Sequence, residues 1–175
     1  VATHRRIASE LPGVDLISAG GLIEQMRIVK DEDEIACARR ACAISCQAFD
    51  KLLTVIKAGM TEREIQLELN NTMLRLGAEE IAFETIACAG VNGSLPHAVP
   101  GDHVVAEGEM LTLDFGAQYG GYKADMTRTV SFGKISDELR AIYDTVLQAQ
   151  LMALDVVGPG KICCDIDKVA RDFID

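Results

Sequence analysis

The chain has no tryptophan, only eight other aromatic residues (three Tyr and five Phe), and four prolines among 175 residues. No apolar run approaches the roughly 20 residues that cross a bilayer as a helix, so the sequence offers no membrane span. The opening VATHRRIASE lacks the apolar stretch of a secretion signal. It also begins without Met, and the start is read as cut or processed. Positive charge is scarce. Seventeen Lys and Arg against 27 Asp and Glu give a net charge of −10, which argues against nucleic acid and anionic membrane as partners. The six Cys have no paired metal-type spacing, which places the chain in a reducing compartment with a cytoplasmic address. Cys37, Cys42 and Cys46 fall in a helical stretch and are read as small buried residues, Cys88 as core, and the vicinal Cys163-Cys164 as neither bridged nor ligating.

What remains is ordinary for a globular chain: 49% hydrophobic and 25% charged residues, enough for one domain with its own core. A mixed stretch, LPGVDLISAGGLIEQMR, breaks at Gly20-Gly21. The spacing then predicts a helix from Asp31 to about Lys57, with a capping-box-like Asp31 and Glu34 and an apolar stripe of Ile35, Ala38, Cys42, Cys46, Phe49, Leu53 and Ile56. A second helix opens on Thr61-Glu62-Arg63-Glu64 and buries Ile65, Leu69, Met73 and Leu76 before Gly77. Ile81–Ala89 reads as a strand, followed by a loop from Gly90 to Asp102 that Pro96 and Pro100 keep irregular. His97 stands on that loop, whereas His4 and His103 have no motif around them and are expected at the surface. A third helix starts at Ser136-Asp137-Glu138, with Leu139, Ile142, Val146, Ala149, Ala153 and Val156 along one face. A fourth runs from about Cys164 to the end.

Between these lies LTLDFGAQYGGYKADMTRTVSF, Leu111 to Phe132, two strand-like runs around Tyr119-Gly120-Gly121. A two-residue loop at Tyr119-Gly120 would set Asp114 directly opposite Asp125. At roughly 5 Å and an effective dielectric near 20 two carboxylates repel by about 3 kcal/mol. Two readings stay open. The face is a charged, solvent-facing side of the hairpin, or the pair shares a proton or a divalent cation. A one-residue bulge would undo the pairing.

The wording around the pair is more specific. DFGAQYGGYKADMTRTVSFG resembles the metal-binding signature of the creatinase, aminopeptidase P and prolidase family, the pita-bread metallopeptidases, and NGSLPHAVP resembles the histidine loop of that family. The resemblance runs from about Gly20 to Asp175. It implies an α+β pita-bread fold, present as its first half plus the opening helices of the second. Residues 1–29 would be the remnant of an amino-terminal domain and linker, and 30–175 an incomplete catalytic domain. Asp114 and Asp125 would be metal ligands, His97 the substrate-side histidine, and Thr127 a weak candidate for steadying a ligand. The implied activity is an Xaa-Pro aminopeptidase or dipeptidase with two divalent ions (Mn, Co or Zn), acting on a peptide with proline second, in a homo-oligomer. Non-catalytic peptide- or protein-binding modules share the fold, as do creatinase-like amidinohydrolases and methionine aminopeptidases. Retention of both aspartates with His97 weighs against the first, and the hairpin wording against the last.

An internal match at an offset of 101 residues pairs VIKAGMTEREIQLEL from Val55 with VVGPGKICCDIDKVA from Val156. The second copy ends before any strand, and the resemblance implies that the remaining metal ligands, a His and two Glu, lie in the second half, so the chain is expected to lack them and to be inactive alone. Ile162 occupies the place of the cap Thr61, so the fourth helix is expected to begin less securely.

Overall fold

The structure is a computed structural model describing residues 2–17 and 19–175; Val1 and Ser18, the latter within the mixed amino-terminal stretch, lie outside it. The chain forms two compact units, 1–36 and 37–175. The first holds helix α1 (Ala2–Glu10), helix α2 (Leu22–Ile28) and the start of α3 (Glu32–Leu53). Gly21, just ahead of α2, adopts φ +83°. The predicted cap of α3 is present: the Glu34 N–H donates to the Asp31 carboxylate at 2.9 Å, and the Asp31 N–H to the Glu34 carboxylate at 2.7 Å.

The second unit continues with α4 (Glu62–Arg75), β1 (Glu80–Ile81), β2 (Ile86–Ala89), a 3-10 turn (Asn92–Ser94), β3 (Met110–Phe115), β4 (Ala117–Tyr119), β5 (Tyr122–Lys123), β6 (Met126–Ser131), α5 (Asp137–Val156) and α6 (Cys163–Ile174). The strands make two antiparallel three-stranded sheets, ordered β1-β4-β5 and β2-β3-β6. In the second sheet one face is apolar. Leu111, Leu113 and Phe115 of β3 and Ala87 and Ala89 of β2 are buried against Ile44, Ala48 and Leu52 of α3 and Ile65, Leu69 and Met73 of α4. Phe49 and Phe115 stack with ring centroids 6.1 Å apart, and burial of this face supplies the main stabilisation of the unit. The capping box of α4 is complete, with Thr61 and Glu64 exchanging hydrogen bonds.

Several expectations are corrected. Helix α3 stops at Leu53, short of Lys57, and its buried stripe is Ala41, Ile44, Ser45, Ala48 and Leu52. The stripe lies one position away from the one read from the sequence. Cys42 and Cys46 are therefore exposed and Cys37 half-buried, whereas Cys88 is buried. The strand expected over Ile81–Ala89 is two, because the chain bends at 82–85 to cross from one sheet to the other. Gln66 Nε2 of α4 holds the bend by donating to the Thr85 carbonyl at 2.7 Å. On α5 only Ala149 is fully buried, while Ile142 and Val146 are 51% and 57% exposed. Helices α5 and α6 pack chiefly on each other. Ile162 caps α6 with no side-chain hydrogen bond, as its residue type implies. Among the described residues no helix is long and apolar enough to cross a membrane.

Candidate metal-binding site

The hairpin turn is Gly120-Gly121, with φ +59° and +78°. A two-residue turn that needs positive φ at both central positions admits two glycines far more readily than Tyr-Gly. Tyr119 pairs with Tyr122 and Gln118 with Lys123, and the same sum of partner numbers continues into β3 and β6, where Asp114 faces Thr127. The predicted opposition of Asp114 and Asp125 is thus wrong by one residue on each strand. A slip of that kind preserves faces. Asp125 comes to lie diagonal to Asp114 on the same side.

Between the sheets the strands close on Gly116. A Cβ there would sit 1.8 Å from the Ala124 carbonyl oxygen and 3.2 Å from the Ala82 Cβ, so only glycine fits. The Ala124 N–H donates to the Ala117 carbonyl at 2.9 Å, and the Ala117 N–H to the buried Ser45 hydroxyl at 3.0 Å. This crossing aims the two aspartates. Lys123 does not relieve them, since its Nζ donates to the Ala82 carbonyl at 2.7 Å.

Asp114 is half-buried, with Ile86 of β2 on one side and Thr127 of β6 on the other. Its Oδ1 is buried and has no hydrogen-bond partner. The carboxyl is pushed above its ordinary range, most of all by burial. Hydrogen bonding from Thr127 opposes the shift, and the charge of Asp125 with a shared hydrogen bond adds to it. Two oxygen-donor carboxylates on one face, one with an orphaned buried oxygen, make a donor set that a hard divalent cation would satisfy. Among the described residues no group of three or more His, Cys, Asp or Glu is arranged to hold a metal.

Thr112, Asp114, Thr127 and Thr129 share this second sheet face, by the pairing of β3 with β6. The loop after β2 folds back over it: a Cβ on Gly93 would meet the Cys88 carbonyl oxygen at 2.7 Å and the Thr112 Oγ1 at 3.5 Å. Cys88 is wholly buried beneath. His97 is exposed in a turn whose Ala98 N–H donates to the Leu95 carbonyl at 3.2 Å, with Pro96 at the position that favours such turns. The loop is held by Glu62, a buried residue that nothing in the sequence singled out beyond its place after a helix cap. His103 is exposed, as expected, but its Nε2 lies 3.1 Å from the Glu109 carboxylate.

Known proteins resemble this chain over most of its length. The family model described as metallopeptidase family M24 matches residues 36–175. An uncharacterized peptidase of Bacillus subtilis is 35% identical over 98% of this chain and 49% of its own length. The Xaa-Pro dipeptidase of Pyrococcus furiosus is 35% identical over 87% of this chain and 44% of its own. Among solved structures, the X-Pro aminopeptidase from Thermotoga maritima superposes with a TM-score of 0.94 at 42% identity, over 99% of this chain and 49% of that one. The chain spans about half the length of the relatives it matches.

Proposed function

The chain belongs to metallopeptidase family M24, and from that premise we propose that the protein it forms part of hydrolyses the peptide bond before proline, as an Xaa-Pro aminopeptidase or dipeptidase. Its fold is the α+β pita-bread fold, and the chain carries about half of the length of its structural neighbours. The single observation that carries the reading is the orphaned, buried Oδ1 of Asp114 beside Asp125. A partnerless buried carboxylate oxygen costs stability, and a cation at the pair offsets that cost.

In this reading Asp114 and Asp125 hold two divalent ions (Mn, Co or Zn), the remaining ligands coming from outside these residues. The ions, when bound, supply Lewis acidity to the scissile carbonyl and to the attacking water. Thr127 steadies the Asp114 carboxylate from the facing strand. His97, exposed on its turn, donates a hydrogen bond to the developing oxyanion or to the leaving group, where charge stabilisation counts most. The substrate is a peptide with proline at the second position, the protein is a homo-oligomer, and its address is cytoplasmic.

The test is cleavage by the full-length, metal-loaded protein of Gly-Pro, Ala-Pro-Ala and Ala-Ala-Ala. Proline-dependent release supports the proposal, and cleavage of the tripeptide as well as the dipeptide selects the aminopeptidase. Equal cleavage with and without proline overturns it. Peptide or protein binding without turnover selects the non-catalytic module instead.

A further inference from the structure

Glu62 is the first residue of α4, where an acidic side chain is favoured by the helix dipole and normally points to water. Here it is fully buried. Among the described residues no ion pair involves it. Its Oε1 accepts the Ala89 N–H at 2.8 Å, and its Oε2 accepts the Asn92 Nδ2–H at 2.9 Å and the Gly101 N–H at 3.0 Å. Those donors stand at the entry, the first turn and the exit of the loop that carries His97. The start of α4 ties down the exit further, with the Glu62 N–H on the His103 carbonyl at 3.0 Å and the Arg63 N–H on the Gly101 carbonyl at 3.1 Å. Among the described residues the tip is bonded only within the loop, the Asn92 Nδ2–H donating to the Val99 carbonyl at 3.4 Å, and Leu95, His97 and Val99 are exposed. One carboxylate therefore closes the neck of an Ω-loop.

A buried charge without a cation is an expensive way to hold a loop. Its field reaches the neighbourhood: the Cys88 thiol is pushed up to about 11, first by burial and then by the Glu62 charge. A carboxylate has one property that justifies the cost. Two acceptor oxygens take three N–H donors, whereas glutamine keeps one acceptor and turns an NH2 against at least one donor. The loop so anchored lies over the sheet face of Thr112, which is also the face of Asp114.

We infer that Glu62 is a positioning residue: by closing the neck of the 90–101 loop from inside, it fixes where His97 stands at the exposed tip of that loop. The inference rests on the substrate-side role proposed for His97. The residue acts through the loop, and its signature is a loss confined to steps that need the histidine.

The experiment is a double-mutant cycle in the full-length, metal-loaded protein, with kinetics of Xaa-Pro cleavage, metal content and amide exchange read together. Glu62→Gln is expected to lower kcat by about 10- to 100-fold, the scale of a misplaced catalytic group, with KM and metal content unchanged. His97→Ala is expected to lower kcat by about 100-fold or more. The double variant should be no slower than His97→Ala alone, since no histidine remains to be misplaced. Exchange should quicken over 91–101 and stay unchanged over β3 and β6. Asn92→Ala, which leaves the carboxylate two donors, should give the same pattern with smaller amplitude, and decides the matter if Glu62→Gln does not fold. Losses that multiply in the double variant, or a loop whose exchange is unchanged, overturn the inference while leaving the role of His97 intact. Full turnover by His97→Ala overturns that role and the inference with it.

Discussion

A carboxylate with one buried, partnerless oxygen is tolerable in a fold only if something else comes to it. Asp114 is that residue, and the same chemistry that suits it to a cation makes it a burden without one. Asp114→Asn should therefore raise the stability of the metal-free protein, by about 1 kcal/mol, because it removes a buried negative charge and its repulsion with Asp125, while abolishing metal binding. Thermal unfolding with and without a chelator checks both halves, and a destabilised metal-free variant would count against the site. At Glu109 the sign is opposite. Burial is the largest single influence on it and raises its pKa, but the Ala106 N–H together with the hydrogen bond and charge of His103 outweigh burial and leave the carboxyl lowered. A lowered folded pKa contributes stability that is present above 4.5 and lost as pH falls through the folded value. Glu109→Gln should cost about 0.5–1 kcal/mol at neutral pH, and the difference from the parent should shrink in acid well below 4.5. At this scale motif wording singles out Asp114, Asp125, Thr127 and His97 as candidates, and strand pairing sets Thr127 opposite Asp114. The sequence is silent on Glu62, because an acidic first-turn residue ordinarily faces solvent and two of its three donors are backbone amides whose positions no sequence pattern records.

Elements were legible wherever local chemistry decides them. Both predicted caps, at Asp31 and Thr61, form as read, and the weak start of α6 at Ile162 follows from the absence of a side-chain acceptor. Ile162→Ser should supply that acceptor and stabilise the helix by about 1 kcal/mol, measurable as a rise in helicity and a higher unfolding midpoint. The α3 stripe was misread by one position because alanines and Ser45 form much of its buried side. Small residues carry little hydrophobic signal, so the apolar spacing points to Cys42 and Cys46 instead, and both are exposed. The hairpin register was decidable in principle: positive φ at two adjacent positions points to Gly120-Gly121 rather than Tyr119-Gly120. The two kinds of glycine here separate cleanly. Gly121→Ala meets no atom within 4 Å and should cost only about 1–2 kcal/mol, the left-handed backbone of a residue with Cβ. Gly116→Ala drives a Cβ into the Ala124 carbonyl at 1.8 Å and should cost about 3 kcal/mol or more by overpacking. Denaturant unfolding of the pair checks the order; equal costs would show that the crossing at Gly116 is looser than drawn.

For the molecule as a whole, chain length bears on the number of side chains that could hold a metal. The relatives are about twice as long, and among the described residues no third metal-capable side chain joins Asp114 and Asp125. The internal match reads as a second long helix, glycine break and helix, which is the order α5 and α6 show. Long-range pairing is also what the sequence conveyed least: the bend at 82–85 that splits one expected strand between two sheets depends on Gln66 and Asn70 of α4 meeting Thr85. Metal affinity grows with ligand number and geometry. The 175 residues produced alone should therefore bind Mn²⁺ more weakly than the full-length protein by more than about 100-fold, the upper end of what losing one outer-shell partner costs, and should not cleave Gly-Pro. Among the described residues strand β6 pairs only with β3, and α5 presents Ile142, Val146 and Leu154 to solvent at 51%, 57% and 58% exposure, so the isolated chain should also self-associate as concentration rises. Calorimetric titration with Mn²⁺ and light scattering across a concentration series test the two expectations separately. Tight metal binding with proline-specific turnover by the isolated chain would show that its two carboxylates suffice, and the reading of an incomplete centre would fall.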